Sequence, residues 1–279
     1  MRNLILGGAQ FSRSYGKYFS NNELGKIEIA SILQSALNSK IFEIDLALNY
    51  DEADKNLSEF SKLSEFNFST KIQYAKKNRE VIINEVANQA KKLTVKQFNT
   101  IFIHDWHTLN NASRVQALDF ITDLKKNGFC RRIGLSVYDV SEIKLLEKEI
   151  DVIQAPLNIF NTKFLSSDES LNLRERGVIF QARSIFHQGI QLNPKKFLVD
   201  KYPDLNFYLE YCKRKSLSYM EASLSVYDNQ SLFTELLVGV VNQSQLLEIV
   251  TTHLVKSDIL EELSRTIFND NFTDPRKWS

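Results

Sequence analysis

Apolar positions along this chain follow two alternating rhythms. Short runs rich in β-branched and aromatic residues occur at Leu4 to Gly8, Ile41 to Asp45, Phe66 to Lys71, Thr100 to His104, Arg132 to Ser136, Val152 to Pro156, Val178 to Arg183 and Glu235 to Val240. Between most of them the apolar residues recur with the 3.6-residue period of a helix, as at Ile27, Ile29, Ile32, Leu33, Ala36 and Leu37, or Val115, Leu118, Ile121 and Leu124. A strand followed by a helix, repeated, predicts parallel pairing, because parallel neighbours need a crossover. Eight such units in 279 residues predict an α/β fold closed into a (β/α)8 barrel of the TIM type, eight parallel strands with outer helices, as one domain over residues 1–279. An open doubly wound sheet would more often have fewer strands and a Gly-rich phosphate loop, and no G-x-G-x-x-G or Walker sequence is present. The interval from Arg183 to Glu235 breaks the spacing; its Pro203 and the amphipathic stretch Tyr208 to Tyr227 predict a loop excursion and one or two helices, forming part of a substrate lid.

A parallel barrel collects whatever closes its strands on the C-terminal face, where barrel enzymes place their chemistry. Asp45, Lys71 and His104 close three successive runs, Tyr50 follows Asp45 by five positions, and Ser136, Gln154, Asn158 and Arg183 close or follow later ones. A free phenol titrates near pH 10 and a free ammonium near 10.4, so neither moves a proton at neutrality unaided. A lysine beside the phenol is expected to favour phenolate, an aspartate to anchor that lysine, and a neutral histidine to orient a carbonyl oxygen and stabilise charge on it. The chemistry suggested is carbonyl reduction.

Taken singly, each residue has an ordinary structural explanation. Asp45 can cap a helix, Tyr50 can be a half-buried aromatic, Lys71 can be a solvated strand end, and His104 in Ile103-His104-Asp105-Trp106-His107 can be a loop histidine. Convergence from three successive strands is what favours a site. His104 and His107 offer a metal two ligands, short of the three or more that a hydrolytic barrel site gathers. Ser136 and Ser184 lack a Gly-x-Ser-x-Gly elbow. Lys71 as a Schiff-base amine would have to be neutral and unpaired, against its expected neighbours Asp45 and Tyr50.

Composition narrows the partners. Lys plus Arg total 35 against 34 Asp plus Glu, a formal charge of +1, so no global field draws the chain to nucleic acid or an anionic membrane. Cys130 and Cys212 stand apart, without the spacing of a disulfide framework or zinc site, which fits a reducing cytoplasm. The N-terminal apolar run is too short for a signal peptide, and no window approaches the roughly 20 apolar residues of a membrane span. The expected protein is cytoplasmic, a monomer or weak homo-oligomer, with a small-molecule carbonyl substrate and no nucleic-acid or membrane partner.

Several spaced motifs resemble the aldo-keto reductases. Leu6-Gly7-Gly8-Ala9-Gln10-Phe11 with Tyr15-Gly16 is similar to the family's first strand and turn, with Gly8 where many bacterial members carry Thr. Ile44-Asp45-Leu46-Ala47-Leu48-Asn49-Tyr50 resembles the Asp-Thr-Ala-x-x-Tyr signature. The resemblance implies that Tyr50 is the general acid, that Asp45 and Lys71 tune it, and that His104 orients the carbonyl. It also implies NADP or NAD as cofactor, with Gly8 in the first turn and Ser136 and Gln154 holding the nicotinamide carboxamide. Arg183, Ser184, Phe186, Gln188 and Gly189 would lie along the nicotinamide and pyrophosphate, and Gly239, Val240, Asn242 and Gln245 would cover the adenosine half. The chain departs from the pattern at Gly8, Asn161 and Asp51, the last replacing the glycine after the tyrosine, and Asp54 stands near the usual Glu. Around Val240 to Leu246 no Lys or Arg matches the residues that clamp the 2′-phosphate of NADP, which admits NADH. The ending Asp274-Pro275-Arg276-Lys277-Trp278-Ser279 is similar to members that accompany surface-polysaccharide biosynthesis, and points to a keto-sugar. A cofactor-binding regulatory module of the same fold with little turnover is the alternative.

Overall fold

In a computed structural model, which describes residues 2–12, 24–144, 146, 149–264, 266 and 268–278, eight parallel strands close into a barrel. They are β1 (Leu4–Gly7), β2 (Glu43–Asp45), β3 (Asn67–Ile72), β4 (Phe98–Ile103), β5 (Cys130–Ser136), β6 (Val152–Pro156), β7 (Ile179–Arg183) and β8 (Phe233–Val238). Each pairs with its sequence neighbours, and β8 returns to β1 through Leu4 opposite Leu236 and Leu6 opposite Val238. The predicted (β/α)8 architecture is therefore observed, with no strand end displaced by more than two residues. The shift at the end of β8 puts Val240 beyond its strand.

Outer helices follow most strands. The first, α1 (Lys26–Asn38), buries Ile29, Ile32, Leu33, Ala36 and Leu37 against the barrel and leaves Ile27 84% exposed, so the buried stripe begins at Ile29 and not at Ile27. After it come α2 (Ala53–Ser58), α3 (Arg79–Lys92) and α4 (Asn111–Lys126). In α4 Leu118, Ile121 and Leu124 are inside and Val115 is exposed. Asn78 and Asn110 cap α3 and α4 by accepting hydrogen bonds from the backbone N–H of Val81 and Ser113. Between β5 and β6 the described residues form a 3-10 turn at Val140–Ile143. Then follow α5 (Asp168–Glu175), α6 (Lys196–Lys201), α7 (Asp204–Lys215), α8 (Tyr219–Asp228) and α9 (Gln243–Thr251). The long interval after β7 thus carries three helices, and α7 and α8 bury Leu205, Tyr208, Tyr211, Met220 and Leu224 in the core.

The barrel interior is polar along one continuous path. Arg132 on β5 reaches Glu235 on β8 at 3.4 Å and Glu43 on β2 at 3.7 Å, contacts that must cross the lumen because these strands are not neighbours. Glu43 accepts from Ser69 Oγ at 2.6 Å and Asn99 Nδ2 at 2.7 Å. Burial nonetheless raises its carboxyl above the usual range, with these bonds and Arg132 opposing. Gln181 Nε2 donates to Glu235 Oε2 at 2.6 Å, and Gln154 Nε2 donates to Gln181 Oε1 at 3.0 Å and to Asp45 Oδ1 at 3.3 Å. Charge at the barrel floor is thereby wired to the residue that closes β2.

Beside this path the lumen is tight. A side-chain carbon on Gly134 of β5 would lie 2.5 Å from the Phe102 ring and 2.8 Å from the carbonyl oxygen of Val152. Gly134→Ala is therefore expected to destabilise by about 1–3 kcal/mol, the usual cost of overpacking, and to lower the melting temperature by several degrees in calorimetry. Phe102→Leu in the same chain should recover only part of the loss, since the ring can yield and the β6 carbonyl cannot.

Candidate active site

At the C-terminal end of the barrel the polar path opens into a cavity of about 380 Å³, lined by Asp45, Tyr50, Lys71 and His104 together. Lys71, penultimate in β3, directs its ammonium onto Asp45 Oδ2 in a buried ion pair, and donates also to the carbonyl of Leu46 at 3.2 Å. Lys71 and Asp45 are 3% and 2% exposed, so each needs the other. The backbone past Asp45 stays beside β3, with Leu46 N–H donating to Ser69 O at 2.8 Å and Leu48 N–H to Lys71 O at 3.0 Å, before a turn presents Tyr50. The phenol ring centroid lies 5.8 Å from Lys71 Nζ.

That turn explains the missing glycine. The residue in the left-handed region is Glu52, at φ 62°, whereas Asp51 does not have a positive φ. Position 51 therefore makes no demand that only glycine meets. Asp54 is a structural tie: it accepts from Gln89 Nε2 at 2.8 Å, and Gln89 Oε1 accepts from Thr70 Oγ1 at 2.6 Å, binding α2 to α3 and β3. At Gly8 a side-chain carbon would meet Leu46 Cδ2 at 2.3 Å and the Asp45 carbonyl at 3.0 Å. Leu46 stands where the signature has Thr, so the larger residue at 46 fills the room left by the smaller one at 8.

His104 lies one residue beyond β4, its N–H donating to Ile72 O at 2.8 Å. The neighbouring Asp105 carboxylate accepts from the backbone N–H of Tyr74 and Ala75, which fixes this loop to the end of β3. Burial, then the charges of Lys71 and Arg183, push the His104 imidazole down to about 3, so it is neutral at physiological pH. Its Nδ1 is buried without a hydrogen-bond partner. Burial first, and the Asp45 carboxylate second, raise the Tyr50 phenol above its ordinary value, with Arg183 opposing. The net direction is opposite to the lowering by Lys71 expected from sequence, and it leaves Tyr50 a proton to give.

Of the residues matched to a cofactor role, Gly8, Ser136, Gln154, Arg183, Ser184, Phe186, Gln188, Gly189, Gly239 and Gln245 line this cavity. Val240 and Asn242 do not. Val240 is packed away at 1% exposure, and Asn242 caps α9 by accepting from Gln245 N–H, while Val241 takes the lining position. Tyr15 and Gly16 lie outside the described residues. One group fits a nicotinamide carboxamide: Gln154 is fully buried with Oε1 unpartnered, ready to accept from an amide N–H, whereas Gly239 is packed against the Gln10 side chain, which a side-chain carbon there would strike at 2.5 Å. The loop after β7 holds Ser184, His187 and Gln188 at positive φ, a strained path stabilised by Asn158 Nδ2 donating to Ser184 O at 3.1 Å. His187 is fully buried, and its Nε2–H donates to the Phe272 carbonyl at 3.0 Å. Leu192 and Asn193 of the expected lid segment also line the cavity.

Tyr138 was not anticipated. Two residues past β5, its ring lies between the guanidinium groups of Arg183 and Arg276, at 4.2 and 3.6 Å from the ring centre, with His107 edge-on at 5.2 Å. The signal was a tyrosine directly after Ser136-Val137, but only the fold brings the C-terminal Arg276 to it. Among the described residues no group of three or more His, Cys, Asp or Glu side chains gathers to hold a metal.

A closed parallel barrel with a cavity at its C-terminal face lined by a phenol, ammonium, carboxylate and imidazole is the arrangement of a class of barrel oxidoreductases. The model of the aldo/keto reductase family matches residues 3–259, and the chain belongs to that family. Two solved structures of an aldo-keto reductase from Pseudomonas aeruginosa share the fold: one at TM-score 0.67 and 16% identity over 89% of this chain and 88% of its own, the other at 0.66 and 16% over 89% and 87%. No curated protein matches the sequence.

Two outcomes are expected. Lys71→Met leaves the Asp45 carboxylate buried and unpaired and should cost about 3–5 kcal/mol in urea unfolding, much of it recovered in Asp45→Leu/Lys71→Met. The second concerns acid. His104 and His187 are held down to about 3 and about 4 by burial, whereas unfolded histidines protonate near 6.5. The unfolded state therefore binds more protons below that value, and stability present above pH 6.5 is lost as pH falls toward 4. The urea midpoint of His104→Gln should fall less steeply than wild type between pH 6.5 and 4; equal slopes would refute the assignment.

Proposed function

We propose that the chain reduces an aldehyde or ketone at the expense of a nicotinamide dinucleotide, NADPH or NADH, with Tyr50 as the general acid. The observation that carries this reading is the gathering of Tyr50, Lys71, Asp45 and His104 in one cavity, with the phenol protonated and the imidazole neutral. When bound, the dihydronicotinamide supplies a hydride to the carbonyl carbon. Ser136 and Gln154 would hold its carboxamide, with Gly8, Gly239 and Gln245 in the cavity wall beside it. The Tyr50 hydroxyl and the His104 imidazole N–H donate to the carbonyl oxygen and place it. As negative charge grows on that oxygen, the phenol gives up its proton, and the Lys71 ammonium stabilises the phenolate left behind. Asp45 keeps Lys71 charged and aimed, and Gln154 keeps Asp45 in place.

No Lys or Arg stands between Val240 and Leu246 to clamp a 2′-phosphate, so the site admits NADH as well as NADPH. The substrate favoured is a keto-sugar of surface-polysaccharide biosynthesis, on the resemblance of the C-terminal Asp274-Pro275-Arg276-Lys277-Trp278 and on the amide and hydroxyl groups of Asn158, Asn161 and Thr273 beside the site. No helix among the described residues is long and apolar enough to cross a membrane, and we place the protein in the cytoplasm as a monomer or weak homo-oligomer. Titration of NADH and NADPH fluorescence with the purified protein reads the cofactor, and a panel of aldehydes and keto-sugars reads turnover. Tyr50→Phe is expected to lose about 10²–10⁴-fold in turnover while keeping its cofactor affinity; retained turnover refutes Tyr50 as the acid. Cofactor binding with no oxidation of either form across the panel would instead mark a regulatory module.

A further inference from the structure

A second cavity of about 400 Å³ adjoins the first, and the two share Tyr138, Arg183, Ser184 and Gln188 as a common wall. Its far side is built by the C-terminal segment, including Asp274, Arg276 and Lys277. The three carboxylates around it are already engaged. Asp139 accepts from Ser141 N–H at 3.0 Å, Asp270 pairs with Lys163 at 2.9 Å, and Asp274 takes Nε and Nη2 of Arg276.

Among the cations lining the two cavities, Lys71, Lys163 and Arg276 each have a carboxylate within 4.0 Å, whereas the half-buried Arg183 and the exposed Lys277 have none among the described residues. Arg183 is nevertheless fixed: Nη2 donates to Val137 O at 2.8 Å, Nη1 to Ser184 Oγ at 3.4 Å, and the guanidinium plane stacks on Tyr138. Its Nε is buried and unpartnered, as is Oδ1 of Asn161, which lines the second cavity at 8% exposure. A half-buried guanidinium that is immobilised but uncompensated is a preorganised receptor for a planar or tetrahedral oxyanion. Its field reaches the reacting groups, since it opposes protonation of His104 and favours ionisation of Tyr50.

Resting on the carbonyl-reductase reading above, we propose that Arg183, supported across Tyr138 by Arg276, is a specificity residue that binds an anionic group of the substrate in the second cavity while the carbonyl lies at Tyr50 and His104. The substrate class is then an anionic carbonyl compound, such as an oxo-sugar carrying a carboxylate or phosphate, with Asn161 Oδ1 accepting from a hydroxyl. Arg183 shares the wall between the cavities with Ser184 and Gln188, so its place alone admits either partner; the unpartnered Asn161 Oδ1, which lines the second cavity and not the first, is what favours a substrate group there.

Matched probes test this: 4-carboxybenzaldehyde against its neutral methyl ester, with 4-formylphenyl phosphate to separate carboxylate from phosphate recognition. The wild type should prefer one of the anionic aldehydes over the ester by about 10–100-fold in kcat/KM, the range for a hydrogen-bonded charge. Arg183→Gln should bring that ratio near one, chiefly through KM, and Arg276→Gln should lower it by a smaller factor. A wild-type ratio near one, or a ratio unchanged in Arg183→Gln, overturns the proposal. So does Arg183→Gln weakening NADH and NADPH binding with the ratio intact, which would give Arg183 to the cofactor. If no aldehyde is reduced although cofactor binds, the reductase reading fails, and calorimetric affinities of wild type for acid and ester decide the inference separately, equal affinities overturning it.

Discussion

The ion pair between Asp45 and Lys71 constrains everything around it. Two opposite charges almost wholly removed from water are tolerable only if their remaining hydrogen-bonding capacity is met. The Leu46 carbonyl and the Gln154 amide meet it, and Gln154 is in turn held by Gln181 and, through it, by Glu235 and Arg132. These residues come from β2, β3, β5, β6, β7 and β8, so a slip in any of those registers breaks the chain of partners. The demands of one buried pair thus coincide with the demands of barrel closure, and both place the phenol of Tyr50 beside an ammonium.

Much of this architecture was legible in the sequence because strands and outer helices announce themselves by local periodicity. Asp45, Lys71 and His104 could be found at strand ends for that reason. Contacts across the lumen were not legible: Arg132 and Glu235 lie 103 residues apart, and nothing in either segment marks the other. The direction of the Tyr50 shift was also hidden, since it depends on burial winning over a nearby cation. Val240 and Asn242 lie off the cavity wall for reasons no local pattern announces: β8 ends at Val238, Val240 beyond it packs inward, and Asn242 caps α9.

The departures from the family pattern turn out to be compensated locally. Asp51 occupies an ordinary backbone conformation and Glu52 takes the left-handed one. Leu46 and Gly8 exchange volume across a single contact. Tyr138 shows the same economy on a larger scale, since one ring separates two guanidinium groups and joins the seventh strand to the C-terminal segment. The aromatic nest of Phe160, His187, Phe272 and Trp278 anchors that segment, with the Trp278 indole N–H donating to the Phe272 carbonyl at 2.8 Å.

The polar path through the lumen also shapes how the fold responds to temperature. Barrel interiors of this type are dominated by branched hydrocarbon side chains, whose exposure on unfolding raises the heat capacity. Here Glu43, Arg132, Gln154, Gln181 and Glu235 occupy space that hydrocarbon would otherwise fill, and exposing polar surface lowers the heat capacity instead. The stability curve of this barrel is therefore broader and flatter than that of a hydrocarbon-filled barrel of equal length, with cold and heat denaturation set further apart.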